Sequence, residues 1–273
     1  MSERPQRQAI SPWINPVTRA LREGSVCIGA CSISFPGPAI AQIAGQAGFS
    51  FFYFDMEHSD LPINAVGAIC TAAKLAGTVP LAGTSGIADF LISRPLDNGA
   101  MGVIVPHVST REQTQLVVNA GRYAPMGTRG LINLVALTEF QSADPAAWIE
   151  AQNRELLVAV KVESAQGIEN IEAIAAVPGL DAILIGPGDL SASMGIPGQM
   201  EHPRLEQAIE RMLATCRHNG IAGGPHVDSA EAARTWTDRG ATFMSYSFDG
   251  AMLLAASQQA VAGVRDLLGE RMA

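Results

Sequence analysis

Residues 156–191 read LLVAVKVESAQGIENIEAIAAVPGLDAILIGPGDLS. The stretch opens on an apolar run, Leu156–Val162, crosses a segment of helical pattern, and returns to a second apolar run, Ala182–Ile185. Runs this short, bounded by glycine and polar residues and separated by a helix-sized interval, read as strands of a βαβ unit. The same rhythm continues on both sides, with apolar runs at Val26–Cys31, Phe51–Asp55, Val79–Ala82, Gly102–Val105, Ile221–Gly223 and Phe243–Ser247. Alternation of this kind predicts a parallel α/β fold, and eight such runs are the number that closes a (β/α)8 TIM barrel. A doubly wound open sheet is the alternative, but no glycine-rich dinucleotide fingerprint follows the first run.

The intervening helices have plausible ends. In Pro203–Asn219, Leu205, Ile209, Met212, Leu213 and Cys216 fall at helical spacing and Gly220 closes the segment. Ser229 is placed to cap a helix that ends at Gly240. The last helix, about Ala251–Leu268, is rich in Ala and Leu and suits packing on its own barrel or on a neighbour's. Arg122–Ala151 is longer than a tight connection and is expected to form an elaborated loop above the barrel. We expect one barrel domain over residues 25–273, preceded by an N-terminal arm (1–24) that forms a strap or short helix beneath it.

Composition narrows the class of function. The chain has 273 residues, 48% hydrophobic and 16% charged, which suits one large core. Its net charge of −8, with no basic run, argues against nucleic-acid binding. The polar start Met1–Gln8 carries no signal-peptide pattern, and the apolar runs are too short for a membrane span. The four cysteines, Cys27, Cys31, Cys70 and Cys216, form no CxxC pair and read as reduced, buried thiols of a cytoplasmic protein.

In a barrel of this kind the chemistry sits at the C-terminal ends of the strands. The second strand ends in Asp55-Met56-Glu57-His58. A neutral imidazole there suits proton transfer, whereas Glu57 serves equally well as a helix cap. In the fifth strand, Lys161 and Glu163 share one face by strand alternation and are expected to point into the barrel, since a charged pair facing the outer helices would be costly. The sixth strand leads into Gly186-Pro187-Gly188-Asp189-Leu190-Ser191, where exposed amides suit an anion and the carboxylate a hard cation. Glu163 and Asp189, on adjacent strands, suit a shared Mg2+ or Mn2+ better than zinc. His107 and His226 end strands four and seven, where a structural and a functional role are equally supported. His202 and His218 read as surface residues of a helix.

Taken in order, Phe54-Asp55-Met56-Glu57-His58, Arg122–Gly130, Val162-Glu163-Ser164 and Gly186–Ser191 resemble the HpcH/HpaI aldolase family of class II pyruvate aldolases, within the citrate lyase superfamily. The likeness covers roughly residues 20–268. The resemblance implies a barrel with a swapped last helix, assembled as a hexamer built from dimers. It implies a divalent metal, Mg2+ or Mn2+ with Co2+ also suitable, held by Glu163 and Asp189 and stabilising a pyruvate enolate. It assigns the substrate carboxylate to the amides around Gly188 and Asp189, with Ser191, His107 and His226 lining the substrate site. His58 is implied as the base, oriented by Asp97, and Asp55 as the holder of a water beside the metal.

Two positions depart from the family pattern. Relatives carry an arginine after strand three, where this chain has Gly83, and glutamine where it has Lys161. Lys161 is therefore expected to supply the missing positive charge. At His226 relatives have an apolar residue lining the acceptor-aldehyde pocket. The leading reading is a metal-dependent carbon–carbon lyase that cleaves or forms a 4-hydroxy-2-oxo acid, with a 2-oxo acid and an aldehyde as partners. A decarboxylase or C–C hydrolase of the same superfamily comes second. A non-catalytic small-acid binder comes third, since such a protein has no use for a base.

Overall fold

A computed structural model describes residues 11–132 and 136–268. Eight parallel strands, β1 (Cys27–Ser32), β2 (Phe51–Asp55), β3 (Val79–Gly83), β4 (Gly102–Val105), β5 (Leu157–Val162), β6 (Ala182–Ile185), β7 (Ala222–Val227) and β8 (Phe243–Phe248), pair in sequence order, and β8 closes on β1. The helices between them form the outer layer, as the (β/α)8 reading requires.

Strand alternation divides the side chains into two cores. Val103, Val105, Val158, Val160, Val162, Ile183 and Ile185 pack outward under the helices. Phe51, Tyr53, Leu81, Ile104, Leu157, Ala159, Leu184 and Phe243 fill the barrel. Large and small residues interlock there. Phe51 stacks on Phe243 with ring centroids 4.9 Å apart, and its ring lies where a Cβ on Gly29 would sit, 2.0 Å away. The interior is thus a packed plug, and only its upper layer is free to carry polar groups.

Strand limits differ from the sequence reading by one residue at β1, β3, β5 and β8, but β7 runs four residues past Gly223, to Val227. Its Gly-Gly-Pro-His centre has no apolar signal. Glycine is needed because the backbones crowd: a Cβ on Gly224 would stand 2.2 Å from the Phe243 carbonyl oxygen.

The N-terminal end is tied together by polar contacts. Helix α1 (Pro16–Arg22) is capped by Asn15, whose amide also donates to the Met101 carbonyl at 2.9 Å. Glu155, at the end of α6 (Pro145–Glu155), accepts from Arg19 Nη2 at 2.9 Å and from the Asn15 N–H at 3.0 Å. Burial pushes the Glu155 carboxyl up, but the hydrogen bonds from Arg19, Asn15 and Arg154 outweigh it and bring its pKa down to about 2.

The segment expected above the barrel, Arg122–Ala151, lies below it instead. Helix α5 (Arg111–Gly121) runs back to the N-terminal ends of the strands, and the chain stays there. Buried Arg122 donates to the Leu156 carbonyl at 2.8 Å and to the Gly179 carbonyl, and pairs with Asp181. These acceptors immediately precede β5 and β6. Residues 133–135 of the segment are outside the described residues.

Helix α12 (Asp249–Leu268) makes the opposite choice from the other helices. From Ala251 onward only Met252 is even partly covered, and Leu253, Leu254 and Leu267 are 57, 58 and 86% exposed. It is held at its base. Asp249 accepts the Ser32 hydroxyl at 2.6 Å and the N–H groups of Ile33, Ser34 and Phe35 at 3.2, 3.0 and 2.8 Å. Among the described residues no helix is long and apolar enough to cross a membrane. All four cysteines are free and buried.

A depressed carboxyl pKa contributes stability above its unfolded value, and that stability is lost as pH falls through the folded value. Glu155→Gln is therefore expected to lower stability by about 1–2 kcal/mol at neutral pH, with the gap to wild type closing as pH falls from 4.5 towards 2. Urea denaturation at a series of pH values checks this. A gap that does not change with pH would show that Glu155 acts by packing alone.

Candidate active site

The upper layer of the barrel is where the interior turns polar. On β5 the inward series Leu157, Ala159, Lys161 continues to Glu163, so ammonium and carboxylate stack at the C-terminal end. Lys161 Nζ stands 2.7 Å from Glu163 Oε1. The Glu163 side chain is only 2% exposed, and Oε1 has no hydrogen bond of ordinary geometry. Its neighbour on the β6 side is Gly186, where a Cβ would stand 2.5 Å from Oε1. Glycine at 186 thus makes room for the carboxylate. Burial works against the Lys161 charge, but Glu163, with Asp55 and Glu57 behind it, raises its pKa above the ordinary lysine value.

His107 closes the other side. It follows β4 in a left-handed backbone conformation (φ 57°), which is uncommon for a non-glycine residue. That turn aims its backbone N–H at Glu163 Oε2, 3.2 Å away, and sets its ring between two carboxylates. Nδ1 lies 3.5 Å from Glu163 and Nε2 lies 2.6 Å from Glu57 Oε1. Glu57 also faces His58, with Nε2 3.5 Å from its other oxygen. The His58 ring is 55% exposed at the rim.

Asp55 ends β2 and is buried. Its Oδ1 accepts the N–H groups of Glu57 (2.9 Å) and His58 (2.6 Å), and its Oδ2 accepts the Tyr53 hydroxyl at 3.1 Å. It holds the Glu57–His58 turn in place. Burial pushes the Tyr53 phenol well above its ordinary pKa, so it remains a neutral donor. The Tyr53 ring also occupies the space over Gly83, where a Cβ would meet it at 2.2 Å.

The remaining candidates divide. Pro187–Ser193 forms α9, and Asp189 in its first turn is exposed. Space above Gly188 is open, and the first-turn amides lack intrahelical acceptors. Ser191 does not face that space. Its buried hydroxyl donates to the Gly188 carbonyl at 2.7 Å and accepts the Gly198 N–H at 3.2 Å, so it braces the turn from within. His226 points into the mouth from β7, bonded through Nδ1 to Ser245 Oγ at 2.8 Å, with Nε2 3.2 Å from Asp228. It stacks on Phe248 with centroids 4.6 Å apart. Burial holds its pKa below the ordinary histidine value against the pull of Asp228, and Lys161 adds to the lowering.

Asp97 is not brought to His58 within the chain. It ends α4 (Asp89–Asp97), which runs antiparallel to the strands, so it lies near the start of β4 at the opposite end of the barrel. There it pairs with buried Arg129 at 2.6 Å. Glu57 is the carboxylate beside His58. Sequence reading also passed over Tyr53, Ser245 and Asp228. Alternation from Asp55 would have found Tyr53, and the barrel register, which sets His226 opposite Ser245, would have found the second. Nothing in the sequence marks Asp228.

Among the described residues no three His, Cys, Asp or Glu side chains converge as a ready-made metal cluster. A cation here would draw on carboxylate oxygens from separate elements and on solvent, which is the coordination habit of Mg2+ and Mn2+.

The chain is similar in sequence and in fold to known proteins. The chain is 33% identical over 265 residues to the hydroxypyruvate/pyruvate aldolase of Cupriavidus necator, covering 93% of this chain and 94% of that protein. It is 35% identical over 214 residues to the 4-hydroxy-4-methyl-2-oxoglutarate aldolase of Chaetomium globosum, covering 77% and 78%. The crystal structure of an HpcH/HpaI aldolase from Desulfitobacterium hafniense superposes with a TM-score of 0.86 at 29% identity, over 92% of this chain and 97% of that one. The model of the HpcH/HpaI aldolase/citrate lyase family matches residues 35–256, and the chain belongs to that family.

Proposed function

We propose that the protein is a divalent-metal-dependent aldolase that cleaves a 4-hydroxy-2-oxo acid to an aldehyde and pyruvate or a close 2-oxo acid, with Glu163 and Asp189 holding the metal. Membership of an aldolase family supports the carbon–carbon lyase class. The observation that carries the metal assignment is Glu163 itself. A buried carboxylate at the polar mouth, whose Oε1 meets only the Lys161 ammonium, beside the glycine that leads into the Asp189 helix, is a good hard-cation donor. Bound there, Mg2+ or Mn2+ (or Co2+) supplies Lewis acidity at the substrate's 2-oxo group.

The chain's own residues do the rest. The amides of Gly188 and Asp189 receive the substrate carboxylate. His58, steadied by Glu57, takes the proton of the C4 hydroxyl. The C3–C4 bond then breaks, its electrons pass towards the 2-oxo group, and the aldehyde leaves. A proton delivered to C3 completes the 2-oxo acid. Lys161 gives this reaction the fixed positive charge that relatives draw from an arginine, and neutral His226 offers the aldehyde end a polar wall. The exposed apolar face of α12 supports exchange of this helix between two copies and assembly as a hexamer, a trimer of dimers. Four free, buried thiols support a reducing, cytoplasmic setting.

With Mg2+ or Mn2+ in D2O the protein is expected to exchange the methyl protons of pyruvate, read by NMR, and to stop when the metal is chelated. Exchange that survives exhaustive chelation would sink the metal assignment. Lys161→Gln is expected to lower kcat/KM at least about tenfold, and unchanged turnover and substrate affinity would refute its role. Gly83→Arg alone is expected to cost about 2 kcal/mol of stability or more by overpacking, because its Cβ already meets the Tyr53 ring. Tyr53→Leu in the same chain should recover most of that loss. Equal thermal stability of the single and double variants would remove the steric argument.

A further inference from the structure

Four observations at the Glu163 carboxylate lead beyond the roles given above, while resting on the reading of Glu163 as a metal ligand. Its Oε2 is approached by the His107 N–H at 3.2 Å. Its Oε1 is walled on one side by Gly186. The remaining approach to Oε1 is filled by Lys161 Nζ at 2.7 Å. The other acids around Lys161 are already engaged: Asp55 accepts the Tyr53 hydroxyl and two backbone N–H groups, and Glu57 faces His107 and His58.

We infer that Lys161 is an internal competitor of the metal, and that it passes from Glu163 to the anionic substrate when the metal binds. The ammonium stands on the oxygen a cation would take, and two positive charges cannot share it in a site this enclosed. Binding of a divalent cation therefore displaces Nζ from Oε1. The displaced charge loses its nearest partner, and the substrate's carboxylate or 2-oxo oxygen is the anion that replaces it. Metal and 2-oxo acid thus bind synergistically: each is held weakly alone and both are held firmly together. This differs from the charge-replacement role, which requires only that Lys161 contact substrate.

The test is Mn2+ binding to the full-length protein, followed by the EPR signal of the free ion, with and without pyruvate. Wild type is expected to bind Mn2+ weakly, and pyruvate to tighten it by about tenfold or more. Lys161→Gln should bind Mn2+ alone about tenfold more tightly than wild type, with the pyruvate effect reduced to about twofold or less. Lys161→Met, of similar length and uncharged, should behave alike and covers the case in which the glutamine variant is misfolded. Lys161→Arg should retain weak binding. If neither neutral variant gains affinity for Mn2+, the competition is overturned while the metal site stands. If no protein binds Mn2+, even with pyruvate, the metal reading fails and the inference falls with it.

Discussion

Burying the Glu163 carboxylate is the constraint around which the upper barrel is organised. A carboxyl group with a side chain 2% exposed needs partners to offset its lost hydration. Here the compensation comes from unlike sources: an ammonium two residues earlier in the chain, a backbone N–H from just past β4, and a glycine just past β6 that leaves room for the carboxylate. The left-handed backbone at His107 follows from the same need, because it turns the N–H towards the carboxylate. An apolar residue at 163 would need none of these arrangements. All of them converge on Glu163.

A second centre of order is Asp55. Its Oδ1 fixes the Glu57–His58 turn through backbone hydrogen bonds, so both side chains are carried on a braced corner. Glu57 then joins His58 to His107, and His107 joins Glu57 to Glu163. The corner at the end of β2 and the Glu163 carboxylate on the β5 side are therefore one connected network, and a change at one is felt by the other.

Much of this was legible in the chain because it follows from local periodicity. Eight apolar runs gave the barrel, and strand alternation put Lys161 and Glu163 on one inward face before any coordinates. What was misread depended on direction and not on pattern. Arg122–Ala151 and Asp97 both follow helices, and a chain leaving a barrel helix arrives at the end where the next strand begins. Both therefore lie opposite the catalytic rim. Ser191 was misjudged for a different reason: in the first turns of a short helix, side chains one or two residues apart point to different sides, so adjacency to Asp189 in sequence says little about shared orientation. The extension of β7 through Gly223 and Gly224 was hidden because close backbone packing selects glycine, which carries no hydrophobic signal.

The fit of the Tyr53 ring over Gly83 has a bearing on descent within the family. Each of the two residues is retained by the other: the small one admits the ring, and the ring forbids anything larger. A cation on β3 cannot be installed by a change at position 83 while the ring stays, because even the Cβ would meet the ring at 2.2 Å. The aromatic residue must shrink first, leaving a cavity in the plug of the barrel until the larger neighbour arrives. A packing contact that touches no substrate thereby decides which arrangements of charge natural variation can reach.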